Sequence, residues 1–360
     1  MKRHIRKNRR LKKKLRSFTG MVLDILQLPV VRSVLLLIIA LCLLLFIAPY
    51  VLSKLAPASE DGEMELIPQA SFETMETPDT IEVYREDSGK TDTIDFEDYV
   101  KGVVSGEMPS SFRLEALKAQ AVAARTYSLA RVIKAKENGN PAAHPEAPLC
   151  DTTHCQVYRD PSELKELKGK DWMKDDWKKI CTAVDSTQGE LLYYKGNLVT
   201  QALFHSSSGG KTENSEDVFA SAVPYLVSVD SPYEDEATHQ ADENSFTIEE
   251  LATAVRSKYP DISFGTIDAS NIKILSRSSG NSVEKMQIGS GTLEGTQVRE
   301  ALNLPSANFT IDIADDTITF TSNGSGHGVG MSQYGANGMA KKGYDYKDIL
   351  SHYYSGTEVH

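Results

Sequence analysis

Residues 95–135 carry two helical patterns separated by a tight corner, and this pair constrains the fold more than any other segment. Apolar residues recur in the first pattern with the spacing of one helix face, at Phe96, Tyr99, Val100, Val103 and Val104. Asp95 is suited to cap the start of this helix, and Gly106 suits the left-handed residue just past its end. The pattern therefore predicts a short helix that ends beside Glu107.

The second helix is predicted to start at residues 109–111 and to continue to about Lys136. Small or apolar residues cover most of its sides, which indicates a buried helix. Glu107 would then lie in the corner between two packed helices. Burial disfavours the charged form of a carboxyl group and raises its pKa, so such a group can act as a general acid near neutral pH. The alternative is that Glu107 merely caps the second helix.

Several sequence blocks carry a resemblance to a known family. They are EMP at residues 107–109, ALKAQAVAARTY at 116–127, FHSSSGGKTE at 204–213 and GHGVGMSQYGA at 326–336. In this order they resemble the stage II sporulation protein D family, the peptidoglycan lytic transglycosylases related to amidase enhancers. The resemblance covers roughly residues 80–360. It implies an enzyme whose catalytic acid is the glutamate of the EMP motif, here Glu107.

The charges of the chain are unevenly distributed. The net charge of the 360 residues is −11, yet residues 1–32 hold 11 Lys or Arg and a single acidic residue, Asp24. The remaining residues carry 28 basic and 49 acidic side chains. Contact with phosphates needs a basic surface, so the acidic part is a poor candidate for binding nucleic acid.

A membrane anchor explains the basic amino terminus better. Residues 33–52 contain no charged residue. At about 1.5 Å per residue this segment is long enough to cross the ~30 Å apolar layer of a bilayer. The basic residues before it predict a cytoplasmic tail at 1–32, a transmembrane helix at 33–52 and an extracytoplasmic remainder. A cleaved signal peptide is the alternative. Residues 53–79 have the composition of a flexible linker, and residues 80–360 are the predicted catalytic domain.

Two histidines and two cysteines lie within twelve residues, at His144, Cys150, His154 and Cys155. Imidazole and thiolate groups are preferred zinc ligands, and four protein ligands favour a structural site over a catalytic one. The spacing is not that of a zinc finger. A disulfide between Cys150 and Cys155 is the alternative, and it is reasonable outside the cytoplasm.

The block at residues 204–213 follows a predicted hairpin that turns at residues 195–197. Its end, Gly210-Lys211-Thr212, is similar to a phosphate-binding loop, but His205 stands where that loop requires glycine, so no nucleotide cofactor is expected. The resemblance makes this block a wall of the substrate groove, with Ser206, Ser207 and Lys211 as sugar contacts. In the alternative, the hydroxyl groups only satisfy backbone groups.

The glycine-rich segment 322–336 does not fit a dinucleotide-binding pattern in any register. Its candidate sugar contacts are His327, Gln333 and Tyr334, unless they simply pack beside a tight turn. Arg125, five turns along the second helix, is a candidate to orient Glu107 or a substrate carboxylate. An ion pair between helices is its alternative role.

The remaining patterns alternate between helices and half-buried strands, which predicts an α+β fold with antiparallel sheets. We expect strands within residues 80–93, 271–288 and 309–320, an exposed helix at 246–259, a short helix at 296–302 and a closing helix at 339–353. Together with the resemblance, this predicts a curved catalytic domain with a substrate groove, preceded by one transmembrane helix.

The resemblance implies cleavage of peptide-free glycan strands between N-acetylmuramic acid and N-acetylglucosamine, with 1,6-anhydro products, during engulfment in endospore formation. Implied partners are the glycan strands, the membrane, a sporulation amidase and a membrane scaffold protein. Two other functions remain open. One is a zinc-dependent hydrolase, and the other is a non-catalytic wall-binding scaffold or amidase enhancer.

Overall fold

The computed structural model describes residues 74–219 and 221–360. The predicted basic tail, transmembrane helix and most of the linker lie outside the described residues. Within the described part, no helix is both long and apolar enough to cross a membrane.

The described chain is a mixed α/β structure with mainly antiparallel sheets. Its helices are α1 Phe96–Glu107, α2 Leu114–Asn138, α3 Pro161–Lys168, α4 Lys170–Asp185, α5 Ser215–Val218, α6 Ile248–Lys258, α7 Gly295–Leu302, α8 Gln333–Lys341 and α9 Tyr346–Tyr353. Its strands are β1 Thr80–Arg85, β2 Lys90–Asp95, β3 Leu149–Cys150, β4 Leu192–Tyr194, β5 Asn197–Leu198, β6 Phe204–His205, β7 Asp242–Thr247, β8 Ile272–Arg277, β9 Val283–Ile288, β10 Gly291–Glu294, β11 Phe309–Ala314, β12 Thr317–Ser322, β13 Met331–Ser332 and β14 Thr357–Val359.

The helical pair α1 and α2 forms as the sequence predicts, with two differences. The Asp95 side chain accepts a hydrogen bond from the Asp98 N–H and caps α1. Gly106 does not end the helix, which continues through Glu107. A Cβ atom at Gly106 would lie 2.5 Å from the Val157 carbonyl oxygen, so this position needs glycine for close packing and not for a left-handed turn. Residues 109–113 form a turn, and α2 begins only at Leu114.

Helix α2 is the centre of the first hydrophobic core. It packs against α1, α4, α8 and α9. Its alanines at positions 116, 119, 121, 123 and 124 are fully buried, because small side chains let four helices approach one axis. The buried-helix prediction is confirmed.

Two predicted hairpins are also confirmed. Strands β1 and β2 pair antiparallel around Gly89, and β4 and β5 turn through Lys195 and Gly196, which both have positive φ. Strand β3 adds parallel to β1, which ties the start of the residue 150–157 loop to the first core.

Residues 242–322 build a second hydrophobic core of their own. Two antiparallel sheets, β10-β9-β8 and β11-β12-β7, pack with α6 and α7 around apolar residues such as Leu251, Met286 and Phe320. The expected strands and the helix at 295–302 are present. Helix α6 has one buried face, so it is only partly exposed.

The carboxyl-terminal segment returns to the first core. Strand β13 pairs parallel with β6, which places the glycine-rich segment beside the serine-rich block. The predicted closing helix is instead two helices, α8 and α9. Gly343, with φ +96°, lies between them.

Candidate functional site

A groove runs along the carboxyl-terminal end of α1. One part is a cavity of about 810 Å³ that contains Glu107, and a second cavity of about 670 Å³ adjoins it. The two share Tyr127, Arg131, Gln201 and Leu203 as lining residues. The two cavities therefore adjoin and form one elongated groove.

Glu107 is the last residue of α1, and its carboxylate points into this groove. The Val157 N–H donates a hydrogen bond to Oε1 at 2.6 Å, and the Gln333 side chain, which also donates to Gln120 Oε1 at 3.5 Å, favours the charged form of the same carboxyl group. Burial raises the pKa of Glu107 above its ordinary value, although Val157 and Gln333 both act in the opposite direction. The group is thus held in place by two contacts and biased toward its protonated form.

Glu107 is the only carboxylate among the lining residues of the 810 Å³ cavity in the described chain. Hydrolysis of a glycosidic bond ordinarily uses a pair of carboxyl groups across the scissile bond. A single carboxyl group fits a reaction in which the substrate supplies its own nucleophile.

Three of the predicted substrate contacts line this cavity with Glu107, namely Ser206, His327 and Gln333. His327 differs from the prediction in its role. The Val329 N–H donates to its Nδ1 at 3.1 Å, so the proton of the neutral ring lies on Nε2. One ring nitrogen of His327 is thus engaged by the backbone, and the ring lies beside Phe219 in the groove.

Four other predicted contacts do not line the Glu107 cavity, namely Ser207, Lys211, Tyr334 and Arg125. Ser207 is 2% exposed and belongs to a backbone bridge with Ser325. The Lys211 backbone forms an isolated β-bridge with Asp230. Tyr334 packs edge-on against Phe112 and lines a separate, smaller cavity.

The prediction that Arg125 contacts substrate or Glu107 is wrong. Arg125 is fully buried, and its Nε and Nη2 atoms donate to the Glu97 carboxylate at 2.8 and 2.7 Å. Two backbone carbonyls, of Val184 and Glu190, accept further bonds from it. The alternative role, an ion pair between the two helices, is the one that the structure has.

The structure adds groove residues that the sequence interpretation did not select, including His205, Arg131, Arg299 and Phe219. His205 lies inside a quoted sequence block, so a signal for it existed. Arg299 lies in the second core and far from any motif, and no local pattern marks it. Gly326 allows the glycine-rich segment to approach this region, since a Cβ atom there would lie 2.8 Å from that of His205.

The four residues proposed as metal ligands meet in one place. We call His144, Cys150, His154 and Cys155 the His–Cys cluster, and its ligand atoms all lie within 4.8 Å of one another. The Cys155 Sγ lies 3.3 Å from His144 Nε2 and 3.6 Å from His154 Nδ1, and the Cys150 Sγ lies 3.8 Å from His154 Nδ1. Tetrahedral zinc separates such ligands by about 3.3–3.8 Å.

The chemistry of the cluster also fits zinc. His144 Nδ1 donates to the Ala147 carbonyl at 2.7 Å, which leaves the Nε2 lone pair facing the cluster. A hydrogen bond with Cys155 lowers the pKa of the Cys150 thiol to about 4, so one sulfur is readily a thiolate. Cys150 and Cys155 are free cysteines.

The cluster and Glu107 are linked by a short piece of chain. His154 and Cys155 line the groove, and Val157, two residues further on, donates the hydrogen bond to Glu107. Arg85 forms ion pairs with Asp151 in this loop and with Glu163 in α3, which ties the loop to that helix. The loop that would hold a metal is therefore the same loop that orients the carboxyl group.

Comparison with known proteins identifies the family of this chain. A family model described as "Stage II sporulation protein" matches residues 84–194. The stage II sporulation protein D of Bacillus subtilis (strain 168) is 39% identical over 341 residues, which cover 92% of this chain and 95% of that protein. The chain belongs to the stage II sporulation protein D family. The Bacillus amyloliquefaciens protein of the same name is also 39% identical, over 79% of each chain.

A more distant relative carries a different name. The amidase enhancer of Bacillus subtilis (strain 168) is 32% identical over 308 residues, which cover 72% of this chain and 40% of that protein. The segment matched by the sporulation family model includes Glu107 and the whole His–Cys cluster. The matched segment thus contains both Glu107 and the four candidate metal ligands.

Proposed function

We propose that this chain is a peptidoglycan lytic transglycosylase whose general acid is Glu107. The observation that carries the proposal is a carboxyl group, with a pKa raised by burial, that is the single lining carboxylate of the 810 Å³ cavity among the described residues, while Glu137 lines only the adjoining 670 Å³ cavity. General acid catalysis contributes roughly 10²–10⁴ in rate.

The reaction needs one proton donor and no water. Glu107 gives its proton to the oxygen that leaves N-acetylmuramic acid as the glycosidic bond breaks. The C6 hydroxyl of the same N-acetylmuramic acid attacks the anomeric carbon and returns its proton to the Glu107 carboxylate. The products are a free N-acetylglucosamine hydroxyl and a 1,6-anhydro sugar. The internal hydroxyl replaces the second carboxyl group of a hydrolase.

The hydrogen bonds to Glu107 suit both halves of this cycle. The Val157 N–H and the Gln333 side chain hold the carboxylate while it is charged, and burial favours the return of its proton. Ser206 and the Phe219 ring, 41% exposed, offer a hydroxyl group and an apolar face to a sugar.

We propose that the His–Cys cluster binds zinc in a structural role. Four protein ligands would fill a tetrahedral ion and leave no position for substrate or water. A bound zinc would fix the 150–157 loop and so the Val157 N–H. Cleavage at the membrane surface, with the amino terminus inside and the groove outside, follows from the charge pattern of residues 1–52. A sporulation amidase and a membrane scaffold protein are the proposed partners.

The decisive experiment incubates the full-length protein and its Glu107→Gln variant with peptide-free glycan strands and analyses products by mass spectrometry. The wild type is expected to release anhydro sugars, each lighter by one water than a hydrolysis product. Glu107→Gln keeps the shape of the side chain but has no acidic proton, so the rate should fall by about 10² or more. Hydrolysed ends, or an unchanged rate in the variant, would refute the proposal.

A second candidate function is a wall-binding scaffold or amidase enhancer, which the name of one relative favours. It predicts glycan binding without any anhydro product. A zinc-dependent hydrolase is the third candidate function. It predicts that removal of zinc by a chelator abolishes activity, whereas Glu107→Gln leaves most of it. The same incubation separates all three.

A further inference from the structure

Arg299 is a cation in the groove that no acidic side chain neutralises. Its Nε donates to the Leu304 carbonyl at 3.3 Å, and its Nη groups have no hydrogen-bond or ion-pair partner among the described residues. Burial lowers its pKa, which means that its charge is costly where it stands. A half-buried guanidinium with two free donor groups is suited to bind an anion.

The position of Arg299 is fixed by the second core. It lies on α7, between the buried residues Val298 and Leu302. The one hydrogen bond that its side chain makes within residues 74–219 and 221–360, to the Leu304 carbonyl, belongs to the same turn. The second core therefore contributes one positive charge to a cavity whose other lining residues lie outside residues 242–322.

His205 supplies a second unsatisfied group at this place. It is 4% exposed and lines the same cavity, and its Nε2 has no hydrogen-bond partner in the part of the chain that the structure describes. The Val329 carbonyl lies 3.2 Å from Nδ1, so Nδ1 carries the proton and Nε2 is a free acceptor. Burial lowers the pKa of His205 to about 4, which keeps the ring neutral. A ligand here would offer a hydrogen-bond donor, such as an N–H or O–H group.

Arg299 and His205 line the same 810 Å³ cavity, so both face a ligand that occupies it. On a glycan strand, the sugar that carries a carboxylate together with an acetamido N–H is N-acetylmuramic acid. Its lactyl carboxylate is free only when no stem peptide is attached, because the peptide converts it to an amide.

We propose that Arg299 and His205 form a subsite that binds N-acetylmuramic acid, with Arg299 paired to the free lactyl carboxylate and His205 Nε2 accepting from the sugar. The proposal rests on the proposed function of the groove. It assigns the selection of peptide-free strands to one charge supplied by the second core. A strand that bears stem peptides presents a neutral amide to Arg299 and leaves the guanidinium unpaired.

Binding tests this without relying on cleavage. In the full-length Glu107→Gln protein, we would measure affinity for peptide-free oligosaccharides with free lactyl carboxylates, for the same sugars converted to N-methylamides, and for stem-bearing strands. The free form should bind about ten- to hundred-fold more tightly than the amide, the range for a hydrogen bond to a charged group. Stem-bearing strands should bind like the amide.

Adding Arg299→Gln should abolish this preference by weakening only the free form, and Arg299→Lys should restore part of it. Arg131→Gln is the matched control, since Arg131 lines the same groove from the first core, with its guanidinium 5.0 Å from the centroid of the Tyr127 ring and its Nε bonded to the Tyr127 hydroxyl. It should leave the preference intact. A preference that survives Arg299→Gln, or that Arg131→Gln removes equally, would overturn the subsite.

His205→Phe is expected to weaken both sugar forms by the same factor, since its nitrogen does not bind the carboxylate. Melting curves of each variant separate misfolding from lost recognition. If the wild-type protein gives no anhydro product while the carboxylate preference persists, the proposed reaction fails and the subsite stands. If cleavage occurs equally on free and amidated strands, the subsite fails and the reaction stands.

Discussion

Two arginines, Arg125 in the helical core and Arg299 in the groove, show how differently the two regions treat a charge. Arg125 is fully buried, and both ends of its guanidinium are occupied by Glu97 and by two backbone carbonyls. Arg299 has one weak backbone contact and no acidic partner among the described residues. The first charge is part of the fold, whereas the second is available to a ligand.

Buried polar groups of this protein therefore fall into two kinds, those paired within the fold and those left without a partner among the described residues. A buried ion pair such as Arg125–Glu97 is neutralised internally, and its removal should affect stability first. A desolvated but unpaired group, such as Arg299 or the Nε2 of His205, gains its partner only when something binds. The expected effects of substitution therefore fall into two classes.

The largest effect is expected for Arg125→Met. The change leaves the Glu97 carboxylate without its partner in a largely buried place, and breaking such a pair costs about 3–5 kcal/mol. Chemical denaturation should show that loss in the free energy of unfolding. Arg299→Met, the matched change in the groove, should alter it by about 1 kcal/mol or less.

The double variant Glu97→Leu with Arg125→Met sharpens the test. Replacing both charges by apolar groups removes the unpaired carboxylate, so most of the lost stability should return. If Arg125→Met unfolds no more easily than Arg299→Met, the contrast between the two regions is mistaken.

The next effect concerns the His–Cys cluster. Wild-type protein is expected to hold one zinc ion per chain, and Cys155→Ser to hold almost none, as measured by elemental analysis. The variant should melt roughly 5–10 °C lower, the shift expected when a few kcal/mol of metal binding are lost from a domain of this size. Cys181→Ser, at a free cysteine outside the cluster, should retain both the metal and the melting temperature.

A reducing agent distinguishes zinc from the alternative disulfide. It should leave the melting temperature of the wild type unchanged if the two thiols bind metal. A drop on reduction, together with a protein free of zinc, would replace the metal by a Cys150–Cys155 bond.

Local features of the fold could be predicted from sequence, and features that depend on distant residues could not. The cap at Asp95 involves a neighbour three residues away, and the alternating strands within residues 271–288 and 309–320 need only their own pattern. Gly106 was misjudged because its constraint is the Val157 carbonyl, which comes near only in the folded chain. Arg125 and Arg299 are the same residue type, and only their distant surroundings separate structure from recognition.

Gly106→Ala tests the contact that sequence could not reveal. A methyl group would lie 2.5 Å from the Val157 carbonyl oxygen, and overpacking of this kind costs about 1–3 kcal/mol. The shift of Val157 would also move the N–H that binds Glu107, so cleavage should slow by about tenfold. Ser105→Ala is the control on the same helix, because its hydroxyl bonds only to Lys101 within α1. Equal rates in the two variants would show that the position of Val157 is unimportant.

The smallest change is expected for Gln333→Leu, and it concerns the pH profile of cleavage. The Gln333 bond favours the charged carboxylate and so lowers the pKa of Glu107, whereas burial raises it. Without the Gln333 side chain the pKa of Glu107 should rise further above its ordinary value, because one group that favours the charged carboxylate is lost while burial still opposes it. A general acid works while protonated, so the alkaline limb of kcat/KM should move to higher pH.

Gln201→Leu, at another groove glutamine with no bond to Glu107, should leave the limb in place. A limb that moved to lower pH in Gln333→Leu would mean that Gln333 stabilises the protonated acid and raises the pKa of Glu107 instead of lowering it.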